Sequence, residues 1–143
     1  MHHLVTGGAG FIGSHLCEAL VAAGHTVTAL DDLSTGRRRN LAALEGRAGF
    51  TLIEGTVLDP ATVARAAHGA QVIVHLAATV GVRLVIDRPV ETLVNNVRGT
   101  EVVLEAASRL GARTLVASTS EVYGKLMSGA SPQTALREDD DIL

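Results

Sequence analysis

The chain has 143 residues and a formal net charge of −3, long enough for one domain with a buried core and without electrostatic attraction for nucleic acid or an anionic membrane. Hydrophobic residues make up 47% of it but aromatics only 2%, a balance that suits an apolar sheet sandwiched between helices. No apolar run approaches the ~18 residues of a membrane span, no charged-then-apolar leader is expected, and the lone Cys17 allows no internal disulfide, which fits a reducing cytoplasm.

The first predicted element is a strand, His3–Thr6, with His2 and His3 read as strand residues and not as metal ligands. It runs straight into Gly7-Gly8-Ala9-Gly10-Phe11-Ile12-Gly13, and residues Phe11–Ala23 have helical spacing. Gly8, Gly10 and Gly13 satisfy G-x-G-x-x-G, and Gly7, Gly10 and Gly13 satisfy G-x-x-G-x-x-G, both at a strand-to-helix junction. That junction is where a tight turn, close backbone approach to a pyrophosphate and close helix–strand packing each require a missing side chain. The unpaired N–H groups and positive dipole end of the helix favour the phosphate.

The second predicted strand, Thr26–Leu30, ends in Asp31-Asp32, with Asp31 standing 18 residues beyond Gly13. An acid at that place bonds the adenosine ribose and disfavours a 2′-phosphate, so the reading is NAD over NADP. Arg37, Arg38 and Arg39 follow; they are read as a solvated face, the alternative being a contact to that phosphate.

Further strands are predicted at Phe50–Glu54, Val72–Leu76 and Thr114–Ala117, with helical patterns at Arg38–Leu44, Pro60–His68 and Pro89–Leu110. Alternating strands and helices imply an α/β, Rossmann-like, doubly wound parallel sheet of order 3-2-1-4-5, with ligand across the carboxyl ends of strands 1 and 4. Gly24, Gly69 and Gly111 are placed to end helices, and Asp59-Pro60 to begin one. The expected division is a cofactor-binding domain over 1–124 and an irregular acidic tail over 125–143 that includes Glu138, Asp139, Asp140 and Asp141.

Five motifs in order now carry a resemblance: T-G-G-A-G-F-I-G-S-H-L at 6–16, D-D-L-S-T-G at 31–36, H-L-A-A at 75–78, N-N-V-R-G-T at 95–100 and S-T-S-E-V-Y-G at 118–124. From Leu4 to Gly124 the chain resembles the extended short-chain dehydrogenase/reductase superfamily, in its NAD-dependent sugar-nucleotide epimerase/dehydratase group. Its T-S-E-V-Y-G segment is most similar to that of UDP-glucuronate decarboxylases and UDP-glucose 4-epimerase-like proteins.

The resemblance implies a cofactor set of Gly7, Gly10, Phe11, Ile12 and Gly13 at the pyrophosphate, with Asp31, Asp32, Ser34, Thr35 and Gly36 around the adenosine ribose. It adds Leu76, Ala77 and Ala78 under the middle of NAD, Asn95 in the long helix, and Ser118. Val57, after Thr56, stands where the family often has an Asp-Ile pair at the adenine, and Asn96 is expected to brace neighbouring loops. It implies catalytic roles for Thr119, whose hydroxyl would bond the sugar oxygen being oxidised, and for Ser120 and Glu121, and no metal. The substrate class implied is a UDP-linked sugar oxidised transiently at C4, and the implied assembly is a homodimer through the fifth strand or the 89–110 helix.

The family's Tyr-x-x-x-Lys pair is missing. Tyr123 and Lys125 are the chain's one Tyr and one Lys, and they stand two residues apart. The expectation is therefore a cofactor-binding portion without turnover of its own, completed by further sequence. The alternative is an NAD-binding sensor or subunit completed by another chain.

Overall fold

The computed structural model describes residues 1–119 and 122, apart from the side chains of residues 82–84. Ser120, Glu121, Tyr123, Gly124 and the 125–143 tail, and with them two of the three expected catalytic residues, lie outside the described residues.

Five strands, β1 (His2–Thr6), β2 (Thr26–Asp31), β3 (Phe50–Glu54), β4 (Val72–His75) and β5 (Arg113–Val116), form one sheet in the order β3-β2-β1-β4-β5. Every pairing is parallel. This is the expected Rossmann-like α/β arrangement, with the chain reversing its direction of progress between β1 and β4. Thr6 ends β1 in register with Leu30 of β2 and with His75 of β4, so the carboxyl ends of the three strands are level.

Four α-helices connect the strands: α1 (Phe11–Ala22), α2 (Pro60–Ala67), α3 (Val82–Asp87) and α4 (Pro89–Leu110), with a 3-10 segment at Arg38–Leu44. Successive strand residues enter opposite layers, as the pleat demands. Leu4, Leu30 and Ile73 are fully buried against Val63 and Ala67 of α2 and Val102 and Val103 of α4. Val5, Val27 and Ala29 face the other way, onto Cys17 of α1 and onto Leu41 and Leu44 of the 3-10 segment.

Local signals fixed the element ends. Asp59 caps α2, its carboxylate accepting the N–H groups of Ala61 and Thr62 at 3.1 Å each, with Pro60 in the first turn where no N–H is needed. Gly111 ends α4 at φ 62°, its N–H donating to the Ser108 carbonyl. Gly24 and Gly69 adopt φ of 80° and 73° just past α1 and α2.

Several ends shift by one residue from expectation: β1 begins at His2, β2 ends at Asp31, β4 ends at His75, β5 spans Arg113–Val116, and α1 and α2 end at Ala22 and Ala67. Leu76 lies one residue beyond β4; its N–H makes the last ladder bond, to the Thr6 carbonyl, and is shared with the Thr6 hydroxyl. The Arg38–Leu44 pattern is helical but 3-10, a seven-residue connector that buries only Leu41 and Leu44. Helix α3 was not expected; it packs on α4 and closes the loop after β4.

Candidate functional site: the glycine turn and its neighbours

The turn after β1 is held from several directions. Gly7, at φ 69°, donates its N–H to the Leu30 carbonyl at 2.8 Å and accepts the Gly10 N–H at 3.1 Å. The first bond of α1 runs from Ser14 N–H to the Gly10 carbonyl at 3.0 Å. The N–H groups of Phe11, Ile12 and Gly13 precede it, and Gly10 has no side chain to cap them. Those of the exposed Phe11 and Ile12 are donors open at the positive end of a 12-residue helix, while Gly13 is buried. The side chains of Phe11 and Ile12 are exposed beside them.

The glycines are needed because the backbone comes so close. A Cβ on Gly13 would penetrate the Gly7 carbonyl oxygen, so only glycine lets α1 sit on the turn. A Cβ on Gly7 would lie 2.9 Å from the Ala77 nitrogen, so the loop after β4 is in contact with the turn itself. Leu76 and Ala77 are therefore brought to the turn from β4, and Ala78 lies exposed beyond them.

From the other side comes the segment after β2. Asp31 is 8% exposed; one carboxylate oxygen accepts the Ala9 N–H at 2.9 Å and the other the Leu33 N–H at 2.8 Å. A Cβ on Gly36 would stand 2.7 Å from Asp31 Oδ1, so the missing side chain there leaves the carboxylate room. Asp32 accepts both the N–H and the hydroxyl of Ser34, at 2.9 and 2.6 Å, which shapes the exposed bend that continues through Thr35. The Ala9 carbonyl receives Arg37 N–H at 3.0 Å and Asn40 Nδ2 at 2.8 Å. The side chains of Arg37, Arg38 and Arg39 are exposed, and Arg38 pairs with Glu54 at 2.9 Å.

The remaining expected residues are more dispersed. Val57 is partly buried under the loop after β3, where a Cβ on Gly99 of α4 would come within 2.8 Å of it. Thr56 accepts the Leu58 N–H at 3.2 Å. Asn96 of α4 braces the loop after β4, accepting Thr79 N–H at 2.7 Å and donating to the Thr79 carbonyl at 3.1 Å. Its neighbour Asn95 is partly buried. Ser118 and Thr119 are exposed just beyond β5. A cavity of about 190 Å³ opens at the ends of β4 and β5, lined among others by His75, Ala78, Asn96, Thr100 and Ala117.

The structure thus joins the turn, Asp31–Gly36 and Leu76–Ala77 into one cleft wall. Donors gathered at a helix start, backbone approach kept open by Gly7 and Gly13, and a carboxylate at the end of β2 fit a dinucleotide in charge and in space. The sequence reading did not find the buried polar group beneath this wall, made of Thr6, His75 and Thr100. Its signal was a histidine closing the otherwise apolar β4, level with a threonine at the end of β1.

The family model described as NAD dependent epimerase/dehydratase family matches residues 3–141. The chain belongs to the NAD-dependent epimerase/dehydratase family.

Members similar to it include the UDP-glucuronic acid decarboxylase 1 of Danio rerio, 44% identical over 121 residues, covering 85% of this chain and 28% of that one. The UDP-N-acetyl-alpha-D-glucosaminuronate decarboxylase of Bacillus cytotoxicus is 40% identical, over 98% of this chain and 41% of that one. Among solved structures, the dTDP-glucose 4,6-dehydratase DesIV of Streptomyces venezuelae, with NAD bound, superposes with a TM-score of 0.85 at 34% identity, covering 100% of this chain and 45% of that chain. The chain spans less than half the length of these epimerase/dehydratase relatives.

Proposed function

We propose that the chain is the NAD-binding portion of a nucleotide-sugar epimerase, dehydratase or decarboxylase that works through transient oxidation at sugar C4, on a UDP-linked substrate. The observation that carries this is the open set of N–H donors at the start of α1, walled by Asp31 on one side and Leu76–Ala77 on the other. Relatives named as UDP-sugar decarboxylases and a relative solved with NAD support the substrate class and the cofactor.

The N–H groups of Phe11 and Ile12 bind the pyrophosphate, Gly7 and Gly10 leave it room, and Gly13 lets the helix start close against the turn. Asp31 takes the adenosine ribose on the lone pairs its two backbone donors leave free, with Asp32, Ser34, Thr35 and Gly36 around it. Val57 borders the adenine; Leu76, Ala77, Ala78, Asn95 and Ser118 border the rest. Bound NAD supplies the hydride acceptor for the C4 oxidation. Thr119 holds the sugar hydroxyl that is oxidised, and Ser120 and Glu121 differ in role with the reaction type.

No Tyr-x-x-x-Lys pair occurs in the 143 residues, so the group that accepts the hydroxyl proton comes from outside them and the chain alone has no turnover. The exposed Leu115 and Val116 on β5, and Leu93, Val97 and Leu104 on α4, offer apolar surface for homodimerisation or for the part that completes the enzyme.

Calorimetric titration tests the reading. The expected result is saturable NAD binding, weaker NADP binding and no conversion of UDP-glucose or UDP-glucuronate. A folded chain that gives no heat with NAD overturns the cofactor site; conversion by the chain alone overturns the need for a completing part. Sedimentation velocity reads the oligomer.

A further inference from the structure

Beneath the cleft wall lies a buried chain of hydrogen bonds with one proton assignment that satisfies every partner. Thr6 Oγ1 accepts the N–H groups of Leu76 and Ala77, each at 3.2 Å, and lies 2.7 Å from Nδ1 of His75. A hydroxyl has two lone pairs and one proton. With both lone pairs engaged, the Thr6 proton points to Nδ1, which must be the unprotonated ring nitrogen. On the far side, Thr100 donates its hydroxyl proton to the Asn96 carbonyl at 2.8 Å. Its oxygen is therefore free to accept from Nε2 of His75 at 3.1 Å. His75 is 4% exposed, and burial alone moves its pKa below the ordinary histidine value, so the neutral ring is favoured.

The chain of donors runs one way through His75, from the Ala77 and Leu76 N–H groups through Thr6 to the ring and on through Thr100 to the Asn96 carbonyl, so the ring links two parts of the fold. One arm reaches α4 through Thr100 and Asn96, whose side chain also holds Thr79. The other reaches the Thr6 hydroxyl, and through it the Leu76–Ala77 backbone that touches Gly7. These two N–H groups do not depend equally on it. Leu76 also donates to the Thr6 backbone carbonyl at 3.2 Å, whereas Ala77 donates to the Thr6 hydroxyl.

We propose that His75, as the neutral Nε2–H tautomer, is a positioning residue: it fixes the Thr6 hydroxyl so that Leu76 and Ala77 stay against the glycine turn as the floor of the cofactor cleft. A ring protonated on Nδ1 would face the Thr6 hydroxyl donor to donor, and an apolar side chain would leave that hydroxyl free to rotate away. Its effect on cofactor affinity rests on the NAD reading; its effect on Ala77 does not.

Three measurements on the 143-residue chain test this. Long-range ¹H–¹⁵N NMR at neutral pH is expected to show His75 protonated on Nε2 alone; an Nδ1–H or doubly protonated ring overturns the proposal. Amide exchange is expected to rise about tenfold at Ala77 in His75→Leu, the weight of one net hydrogen bond, and less at Leu76. His75→Asn, whose amide oxygen can take the place of Nδ1, should restore Ala77 protection, and His75→Gln, which reaches only the Thr100 side, should not. Equal exchange in wild type and His75→Leu, or no difference between the Asn and Gln variants, overturns it. If His75→Leu does not fold, His75→Asn against His75→Gln makes the comparison by itself, with protection kept only in the first. NAD titration of the same variants should follow the same ranking. A wild-type chain that binds no NAD defeats the cofactor reading, and the exchange and tautomer results then decide the role of His75 by themselves.

Discussion

The carboxylate of Asp31 accepts the backbone N–H of Ala9 at 2.9 Å, so the acid expected to meet the ribose also ties the end of β2 to the glycine turn. Its second oxygen holds at 2.8 Å the N–H of Leu33, itself a non-glycine residue at φ 58°. Asp31→Asn leaves one oxygen and turns an NH₂ group towards one of these two donors. The expected cost is about 1–3 kcal/mol of stability, for a buried donor left unmatched. NAD binding should weaken as well. Urea unfolding with parallel calorimetry reads both, and a variant as stable as wild type would show that the backbone bond it loses contributes nothing.

Gly13 and Gly24 separate two uses of glycine. At Gly13 an added methyl would meet the Gly7 carbonyl and the backbone of Gly8, neither of which can move without opening the turn. At Gly24, φ is 80° and nothing lies within 4 Å, so the cost is backbone strain alone. Gly13→Ala should lose about 3 kcal/mol and cofactor affinity with it. Gly24→Ala should lose about 1–2 kcal/mol and leave affinity unchanged. Equal NAD affinity in the two variants would contradict the contact at Gly13.

What could be read from the sequence was what depends on neighbours along the chain. The glycine spacing, the Asp59-Pro60 helix start and the terminating Gly111 are local signals, and each stands where the spacing placed it. The strand order followed from the alternation of elements. The six residues of α3 are too few to show a helical period, and they stop just short of Pro89, which biases the residue before it away from helix. The Thr6–His75 bond joins positions 69 apart, and Asp31–Ala9 positions 22 apart. Such contacts depend on strand register, which no spacing within one segment reveals. The assignment of Asp31 to the ribose alone missed its hold on the turn for that reason.

The cap of α2 gives a pH dependence with a definite sign. Asp59 has its pKa held below the ordinary carboxylate value, first by the Thr62 hydroxyl and then by the Ala61 N–H. A carboxylate depressed in the folded state stabilises above its unfolded pKa, about 3.9, and that contribution disappears as pH falls through the lower native value. Asp59→Ala should therefore lower the thermal midpoint at pH 7, and the gap to wild type should close as the pH is taken below 4. A gap that stays constant into acid would mean that the side chain acts by packing, not by accepting hydrogen bonds as the anion.

Cys17 provides a test of the layer between α1 and the sheet. Its side chain is fully buried among Val5, Val27 and Leu41, and burial, followed by the charge of Glu18, pushes its thiol pKa up to about 12. The raised value adds stability that is complete below the unfolded thiol pKa, about 8.5, and is lost as pH rises towards the native one. At pH 8 only about one thiol in ten thousand would be ionised in the folded chain, and the thiolate is the reactive form. A thiol-reactive disulfide reagent should therefore leave the native chain unlabelled at pH 8 and label it rapidly in guanidinium. Labelling in native buffer should follow opening of the α1 layer, so Gly13→Ala, which loosens that helix, should react faster than wild type. Rapid labelling of the native wild-type chain would show that α1 does not cover the sheet as the packing of Cys17 requires.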